Sequence, residues 1–229
     1  MKNVIITGAT GGLGVFVTNE FLASGFRVIA TVADTEKESG LVAHPNLEQR
    51  AVDLSNEQET TEFVASVIEK YKTIDAALLL VGGFAMGSIG STSGNDLKRM
   101  YKLNFETAYY TTRALFGHMV TNGVGRLVFI GARPAISPAS GKSMIAYALS
   151  KSLLFSLAQY LNEDAKGTNV VTTVVVPSTL DTPLNRANMP NVDWSDWVSP
   201  QQLSDILTFI CGDSASVLRE TVLKVYGNS

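Results

Sequence analysis

The stretch "TGATGGLG", Thr7–Gly14, follows a short β-branched run, KNVIIT, and overlaps the start of an amphipathic stretch that extends from Leu13 to Ala23. Gly8 permits a tight turn, Gly12 lets the backbone approach a pyrophosphate, and Gly14 allows the helix to pack closely against the strand. The N-terminus of the helix then presents free N–H groups to the anion. The stretch therefore predicts a dinucleotide-binding turn in a parallel α/β sheet. Its predicted contact residues are Gly8, Thr10, Gly11, Gly12, Leu13 and Gly14.

Strands alternate with helices along the rest of the chain. Apolar residues recur at helical spacing over 56–71, 95–121 and 143–166, and a further helix is expected from Pro200. This alternation predicts a Rossmann-type, doubly wound parallel sheet of about seven strands with helices on both faces. We expect residues 1–229 to form a single domain, with 177–199 as a loop. The later strands are predicted in FRVIATV, NLEQRAVDL, IDAALLLVGG, GRLVFIG, NVVTTVVVP and TVLKVYG.

Composition excludes several classes of function. The 229 residues carry a net charge of −3 and a pI near 5.4, which gives no electrostatic basis for binding nucleic acid or an anionic membrane. Two isolated His and the single Cys211 predict neither a metal site nor a disulfide framework, and Cys211 is expected to be a buried, inert thiol. The N-terminus has no signal-peptide character and the longest apolar run, AALLLV, cannot span a bilayer. We therefore expect a cytoplasmic protein that acts on a small molecule.

Two further loops follow strands on the side of the sheet where ligands bind. In VDLSN, the carboxylate of Asp53 could accept a hydrogen bond from an adenine amino group, with Leu54 beside it, or could instead serve the dipole of the next helix. In VGGFA, Gly82 and Gly83 leave room for a ribose, or are simply loop glycines. Both alternatives stay open at each loop.

Tyr147 and Lys151 are four residues apart, which places both side chains on one face of a helix. The spacing alone is weak evidence, because a chain with this many Tyr and Lys contains it easily by chance. Its position is more informative: the pair opens a helix directly after the fifth strand, on the ligand side of the sheet. There the lysine ammonium would favour the phenolate and lower the pKa of Tyr147 toward the range of an acid/base catalyst.

With these parts in place, the chain resembles the short-chain dehydrogenase/reductase family over essentially its whole length. TGATGGLG is similar to the glycine motif of that family and YALSK to its catalytic Tyr/Lys motif. KLNFETAYYTTRAL resembles the segment in which Asn104 would help to hold a proton-relay water. PSTLDTP occupies the place of a loop in which Thr182 would contact the nicotinamide carboxamide.

The resemblance implies an NAD(P)H-dependent oxidoreductase with Tyr147, Lys151 and Asn104 as catalytic residues. It also implies a homodimer or homotetramer formed through the helices near 95–121 and 143–166. The choice between NAD and NADP stays open, because the position that is acidic in NAD-dependent relatives is Val32 here. Nearby, Asp34 could hold a ribose and Lys37 a phosphate.

One departure from the family pattern concerns the substrate. Ala132 stands where the family usually has a Ser that holds a substrate carbonyl, and the loop after it is longer. The dihydropteridine reductase branch shares this departure and has a segment similar to TLDTPLNRANMP, residues 179–190. Its acceptor is a conjugated imine system that needs no oxygen clamp. We therefore predict reduction of a quinonoid dihydropterin-like compound, with Tyr147 as the proton donor.

Two other functions stay open. A carbonyl reductase or alcohol dehydrogenase could use Ser137, Ser140 or Ser143 in place of the missing hydroxyl, and a nicotinamide-binding sensor would have no turnover. In each case 177–199 is expected to cover the cofactor and substrate as a lid. Its residues Trp194 and Trp197 would either stack on a flat heterocycle or pin the lid to the body of the protein.

Overall fold

The computed structural model describes residues 1–33 and 40–227, and these residues form a seven-stranded parallel sheet in the order β3-β2-β1-β4-β5-β6-β7. The order turns back between β1 and β4, so the loops after these two strands open on a common crevice at the carboxyl edge. The strands are β1 (Asn3–Thr7), β2 (Arg27–Val32), β3 (Leu47–Ala51), β4 (Ala76–Leu79), β5 (Val124–Ile130), β6 (Asn169–Pro177) and β7 (Val222–Val225).

Helices connect the strands and cover both faces of the sheet, as predicted. They are α1 (Gly14–Ala23), α2 (Glu57–Tyr71), α3 (Gly94–Tyr101), α4 (Thr107–Asn122), α5 (Pro138–Gly141), α6 (Ile145–Asp164), α7 (Pro183–Asn188) and α8 (Pro200–Cys211).

The central strands are apolar at successive positions because both of their faces are buried. Successive side chains of a strand point to opposite faces, so Ile5 belongs to one apolar layer and Val4 to the other. Helices α2, α4 and α6 close the layer that contains Ile5, and α1 and α8 close the layer that contains Val4. The two layers fix the sheet, and with it the positions of all the loops at its carboxyl edge.

A buried arginine ties the opposite end of the sheet together. Arg126, near the start of β5, donates to the carbonyl oxygen of Asn169 at 2.7 Å and to the carbonyl oxygen of Ser216 at 3.2 Å. The same guanidinium also donates to the Asn169 Oδ1 atom at 3.1 Å. These bonds connect β5 to the start of β6 and to the segment that leads into β7.

The structure differs from the sequence-based expectation in two places near the crevice. The helix predicted over 95–121 is interrupted by a π-helical turn, Lys102–Glu106, between α3 and α4. The segment predicted as a loop, 177–199, contains α7, whose N-cap Thr182 accepts a hydrogen bond from the backbone N–H of Asn185 at 3.2 Å. In both places the change of backbone conformation lies next to a predicted site residue, Asn104 and Thr182 respectively.

None of the helices within residues 1–33 and 40–227 has the length and apolar character that crossing a membrane requires.

Candidate active site

The glycine-rich turn between β1 and α1 depends on the absence of side chains at two positions. Gly8 has φ +64°, a left-handed conformation that favours glycine, and its N–H donates to Thr31 Oγ1 at 3.3 Å. A Cβ at Gly14 would lie 2.1 Å from the carbonyl oxygen of Gly8, so no side chain fits there. At Gly12 a Cβ would meet only the Thr182 side chain, at 3.6 Å. The turn therefore has no free space at Gly14, next to the helix, and has free space between Gly12 and Thr182.

A cavity of about 550 Å³ lies at the carboxyl edge of the sheet, beside this turn. Six of the residues predicted to contact a cofactor line it: Gly8, Thr10, Gly11, Asp53, Leu54 and Gly82. The others lie around it rather than in its wall. Thr182 faces Gly12. Leu13 and Gly14 form the start of α1, and the N–H of Gly83 donates a hydrogen bond to Asn104. The fold thus brings the separately predicted loops to one crevice.

The cavity also has lining residues that the sequence motifs did not indicate. They are Thr31, Ala33, Val52, Ser55, Leu80, Val81, Arg99, Lys102, Leu103 and Thr107. Thr31 could have been found from the sequence, because a polar residue near the end of an apolar strand is unusual in a buried parallel sheet. Val32, whose position is acidic in NAD-dependent relatives, lines the wall as well. Asp34 and Lys37 lie outside the described residues.

Asp53 is held in a turn before α2. Its Oδ1 atom accepts hydrogen bonds from the Ser55 hydroxyl at 2.6 Å and from the Ser55 backbone N–H at 2.9 Å, and these bonds lower the pKa of Asp53. The cap of α2 is Asn56, whose side chain accepts from Gln58 and Glu59. Asp53 is therefore an ionised acceptor on the cavity wall and does not cap the helix.

Tyr147 and Lys151 lie on the first turns of α6, at the carboxyl end of β5. The Lys151 Nζ atom is buried and donates to the carbonyl oxygen of Ile130 at 2.8 Å. Burial lowers the pKa of Lys151 to about 8, because the charged ammonium loses its hydration. Lys151 is thus close to the point where its charge changes at physiological pH.

The expected lowering of the Tyr147 pKa is wrong for this structure. Burial raises the pKa of Tyr147 to about 12, since desolvation of the phenolate outweighs any attraction to the lysine ammonium. The Tyr147 ring meets Phe84 edge-on, with ring centroids 5.1 Å apart. Within residues 1–33 and 40–227 its hydroxyl has no hydrogen-bond partner, so the phenol is protonated and free to donate.

Asn104 lies in the π-helical turn and is bonded to the loop after β4. Its Oδ1 atom accepts from the Gly83 N–H at 2.8 Å, and its Nδ2 atom donates to the Gly83 carbonyl oxygen at 3.1 Å. A Cβ at Gly82 would lie 2.8 Å from Asn104 Oδ1 and 3.1 Å from Lys151 Nζ. The absence of a side chain at Gly82 therefore leaves the space that the Asn104 carboxamide and the Lys151 ammonium both approach.

Two of the three hydroxyls that could replace the missing serine at the end of β5 are bonded within their own loop. Ala132 is buried. The Ser140 hydroxyl donates to the Ser137 carbonyl oxygen and the Ser143 hydroxyl to the Ser140 carbonyl oxygen, each at 3.2 Å. Only the Ser137 hydroxyl, of these three, has no partner among the described residues. The loop therefore uses two of its three candidate hydroxyls for its own turns.

The segment 177–199 is joined at its base and braced internally. Leu180 pairs with Val198, and the Asp181 N–H donates to the Val198 carbonyl oxygen at 2.9 Å. Arg186 binds both oxygens of Asp181 and lies over the Trp194 ring at 4.6 Å. The Trp194 Nε1 atom donates to the Met189 carbonyl oxygen at 3.0 Å. Trp194 therefore packs against residues of its own segment, and these contacts do not join it to the body of the protein.

Comparison with known proteins identifies the family. Residues 2–193 match the family described as short chain dehydrogenase. The chain belongs to the short-chain dehydrogenase family. The dihydropteridine reductase of Dictyostelium discoideum is 26% identical over 90% of this chain and 86% of its own length. The 2-(R)-hydroxypropyl-CoM dehydrogenase of Xanthobacter autotrophicus is 26% identical over 97% and 96%. The solved structure of ElxO with NADP bound superposes with a TM-score of 0.88 at 19% identity, covering 99% of this chain and 97% of that one.

As a short-chain dehydrogenase, the protein is an NAD(P)-dependent oxidoreductase. Its crevice fits such a cofactor on structural grounds. The turn at Gly12 is open toward Thr182, the N-terminus of α1 faces it, and the cavity beside it is large enough for an adenosine. Among the described residues, no group of three or more His, Cys, Asp or Glu side chains is placed to hold a metal ion.

Proposed function

We propose that this short-chain dehydrogenase reduces a conjugated imine of the quinonoid dihydropterin type, with Tyr147 as the proton donor. The observation that carries the proposal is the apolar end of β5. Ala132 is buried, and the hydroxyls of Ser140 and Ser143 are bonded within their own loop. An acceptor whose reacting atoms are ring nitrogens and carbons does not need a hydroxyl to hold a carbonyl oxygen. The similarity to the dihydropteridine reductase of Dictyostelium discoideum supports the same substrate class.

The cofactor would be held by the residues around the crevice. The pyrophosphate would contact the N–H groups of the turn, with Gly12 and Leu13 at its centre. Asp53 and Leu54 would contact the adenine, Gly82 and Gly83 would border the nicotinamide ribose, and Thr182 would meet the carboxamide. The remaining contacts of the turn would be made by Gly8, Thr10, Gly11 and Gly14. When bound, the reduced nicotinamide supplies the hydride.

Three residues would handle the proton. Tyr147 keeps its hydrogen at physiological pH, because burial raises its pKa to about 12, and a protonated phenol is the form that a reduction requires. Lys151, charged below its pKa of about 8, would favour the phenolate that forms as the proton leaves. Asn104, fixed to Gly83 by two hydrogen bonds, would hold the water that returns a proton to the site.

The test is oxidation of NADH and of NADPH with quinonoid dihydropterin, set beside a panel of simple ketones. We expect turnover of the pterin and at least about 100-fold slower turnover of the ketones. Tyr147→Phe should lower kcat at least about 100-fold, in the range that loss of an acid/base catalyst causes, and leave cofactor affinity unchanged. Tyr160→Phe, which removes an exposed hydroxyl from the same helix, is the matched control. Equal turnover by Tyr147→Phe would exclude Tyr147 as the donor.

A carbonyl reductase or alcohol dehydrogenase is the second candidate. The Ser137 hydroxyl, which has no partner among residues 1–33 and 40–227, favours it, because this group is free to hold a substrate oxygen. The similarity to 2-(R)-hydroxypropyl-CoM dehydrogenase supports the same class. Ketone turnover that is lost in Ser137→Ala and kept in Ser143→Ala would establish this function in place of the first.

We also propose that the chain works as a single domain whose segment 177–199 closes over the substrate as a lid, and that it forms a dimer or tetramer. Exposed apolar side chains on α4 and α6 support the second point: Tyr109 on α4, and Leu149 and Leu153 on α6. Sedimentation of the purified protein would measure the assembly. A monomer at micromolar concentration would contradict it.

A further inference from the structure

Ser150, inside the YALSK stretch, connects two of the proposed catalytic residues. Its Oγ atom donates to the carbonyl oxygen of Tyr147 at 2.8 Å and accepts a hydrogen bond from Asn104 Nδ2 at 3.0 Å. Ser150 and Asn104 are each 1% exposed, so bulk water does not compete for the bond between them. We propose that Ser150 is a positioning residue that holds the Asn104 carboxamide in register with the turn that carries Tyr147. The expected effect of Ser150 on turnover rests on the proposed function, whereas its contact with Asn104 rests on geometry alone.

The donors and acceptors around Asn104 fix the orientation of its amide. Oδ1 faces an N–H, that of Gly83, while Nδ2 faces two oxygens, the Gly83 carbonyl and the Ser150 hydroxyl. The Ser150 hydrogen is already used on the Tyr147 carbonyl, so the oxygen has a lone pair available for Nδ2. Each group therefore has a partner of the right kind, and the opposite amide orientation would set Oδ1 against two acceptors or lone pairs.

The bond joins two elements that also pack against each other. Asn104 belongs to the π-helical turn Lys102–Glu106, whereas Tyr147 and Ser150 belong to α6. π-Helical turns are local irregularities and often occur at functional sites. On the other side of Asn104, the point where a Gly82 Cβ would stand is 2.8 Å from Oδ1 and 3.1 Å from Lys151 Nζ. A rotation of the Asn104 carboxamide would therefore change the surroundings of Lys151 as well as those of Tyr147.

Ser150→Ala removes the hydroxyl and leaves one buried Asn104 hydrogen with only a weak thioether acceptor, Met100 Sδ at 3.8 Å, which favours rotation of the amide. Ser152→Ala is the matched control. Its hydroxyl makes the same kind of bond to the carbonyl three residues earlier, that of Leu149 at 2.8 Å, but it is exposed and does not touch Asn104. We expect Ser150→Ala to lower kcat at least about tenfold with cofactor Kd changed less than about twofold, and Ser152→Ala to change neither.

A double-mutant cycle separates positioning from packing. If Ser150 acts through Asn104, Ser150→Ala should change kcat less than about twofold in an Asn104→Ala background. A full tenfold loss in that background would overturn the proposal, and so would a lower Tm with unchanged kcat.

A second readout does not need turnover. The side-chain amide hydrogens of Asn104, followed by NMR, should lose exchange protection in Ser150→Ala and keep it in Ser152→Ala. If no substrate in the panel is turned over, the proposed function fails and the amide exchange still decides the contact. Unchanged protection in Ser150→Ala would overturn the proposal whatever the substrate.

Discussion

At the scale of single residues, Lys151 is kept in the site at a cost to stability. The residue is 6% exposed and its ammonium has one backbone acceptor, the Ile130 carbonyl oxygen, so burial lowers its pKa from 10.5 to about 8. A lowering of this size corresponds to about 3 kcal/mol against the folded, charged form. Natural active sites commonly keep such groups because the reaction needs them.

Lys151→Met should therefore stabilise the protein while it abolishes turnover. Met has a similar volume and no charge to desolvate, and after the loss of the bond to Ile130 we expect a net gain of about 2 kcal/mol at pH 7. Chemical denaturation measures it, with Lys142→Met, which removes an exposed lysine near the same site, as the neutral control.

The pH dependence of that gain follows from the sign of the shift. Below pH 8 the lysine is protonated in both folded and unfolded chains, so the penalty on the wild type is complete. Between pH 8 and 10.5 the unfolded chain binds the additional proton, so the stability of the wild type rises with pH. The difference between Lys151→Met and the wild type should be largest below pH 8 and shrink as pH rises from there. A constant difference would show that the lysine titrates normally.

The sequence predicts the pairing of Tyr147 with Lys151 but not their protonation. Spacing on one helical face is a local property, so four residues of chain are enough to fix it. A pKa depends on what surrounds the group, and these surroundings come from the end of β5, the π-helical turn and the loop after β4. For this reason the sign of the Tyr147 shift was mispredicted from sequence.

At the scale of elements, the glycines of the turn between β1 and α1 differ in how much space they leave for a side chain. Gly14→Ala would place a Cβ 2.1 Å from the Gly8 carbonyl oxygen and 2.8 Å from the Ala9 carbonyl carbon, both backbone atoms that cannot move aside. We expect a loss of at least about 3 kcal/mol in the free energy of unfolding, measured by denaturant titration.

Gly12→Ala is the comparison for this prediction. Its Cβ would meet only Thr182, at 3.6 Å, an ordinary contact, so stability should change by less than about 1 kcal/mol. Cofactor affinity should fall at least about tenfold, because the methyl group would occupy the approach to the pyrophosphate. Equal stability of the two variants would contradict the packing argument.

The π-helical turn Lys102–Glu106 could not be predicted from the sequence pattern. Apolar spacing over 95–121 predicts one long helix, and α3 and α4 occupy nearly that range. The extra residue that widens Lys102–Glu106 leaves no mark in the pattern, because its cause is tertiary: Asn104 is bonded to Gly83, on another element.

At the scale of the whole molecule, the end of the sheet away from the crevice depends on Arg126. Its buried side chain donates part-buried hydrogen bonds to the carbonyl oxygens of Asn169 and Ser216, which join β5 to β6 and to the last connection. Arg126→Met should lower the free energy of unfolding by about 3 kcal/mol, since these acceptors would lose their donor.

Cofactor affinity should be unchanged in Arg126→Met, because the substitution lies at the start of β5 and the site at its end. Arg219→Met is the matched control: it also removes a donor to Asn169 Oδ1, at 2.8 Å, but from an exposed side chain. Affinity and stability that fall together would mean that the two ends of the sheet are coupled.

The doubly wound parallel sheet is the part of the molecule that sequence predicts best. Each buried strand is followed by a helical pattern, and right-handed crossovers leave few ways to arrange such units in one sheet. Arg126 itself is not recognisable in advance, because a lone arginine in GRLVFIG gives no indication of the carbonyls it will meet 43 and 90 residues later.

The closed base of segment 177–199 has a consequence for how such enzymes diverge. Leu180 and Val198 meet, so the chain leaves the body and returns to it at nearly one point. Whatever lies between these residues can change in length or composition with little strain on the sheet. We therefore expect a transplant of residues 183–197 from a relative to leave the sheet intact and, through the proposed lid, to change the substrate preference, while Thr182 and the other proposed cofactor contacts stay in place.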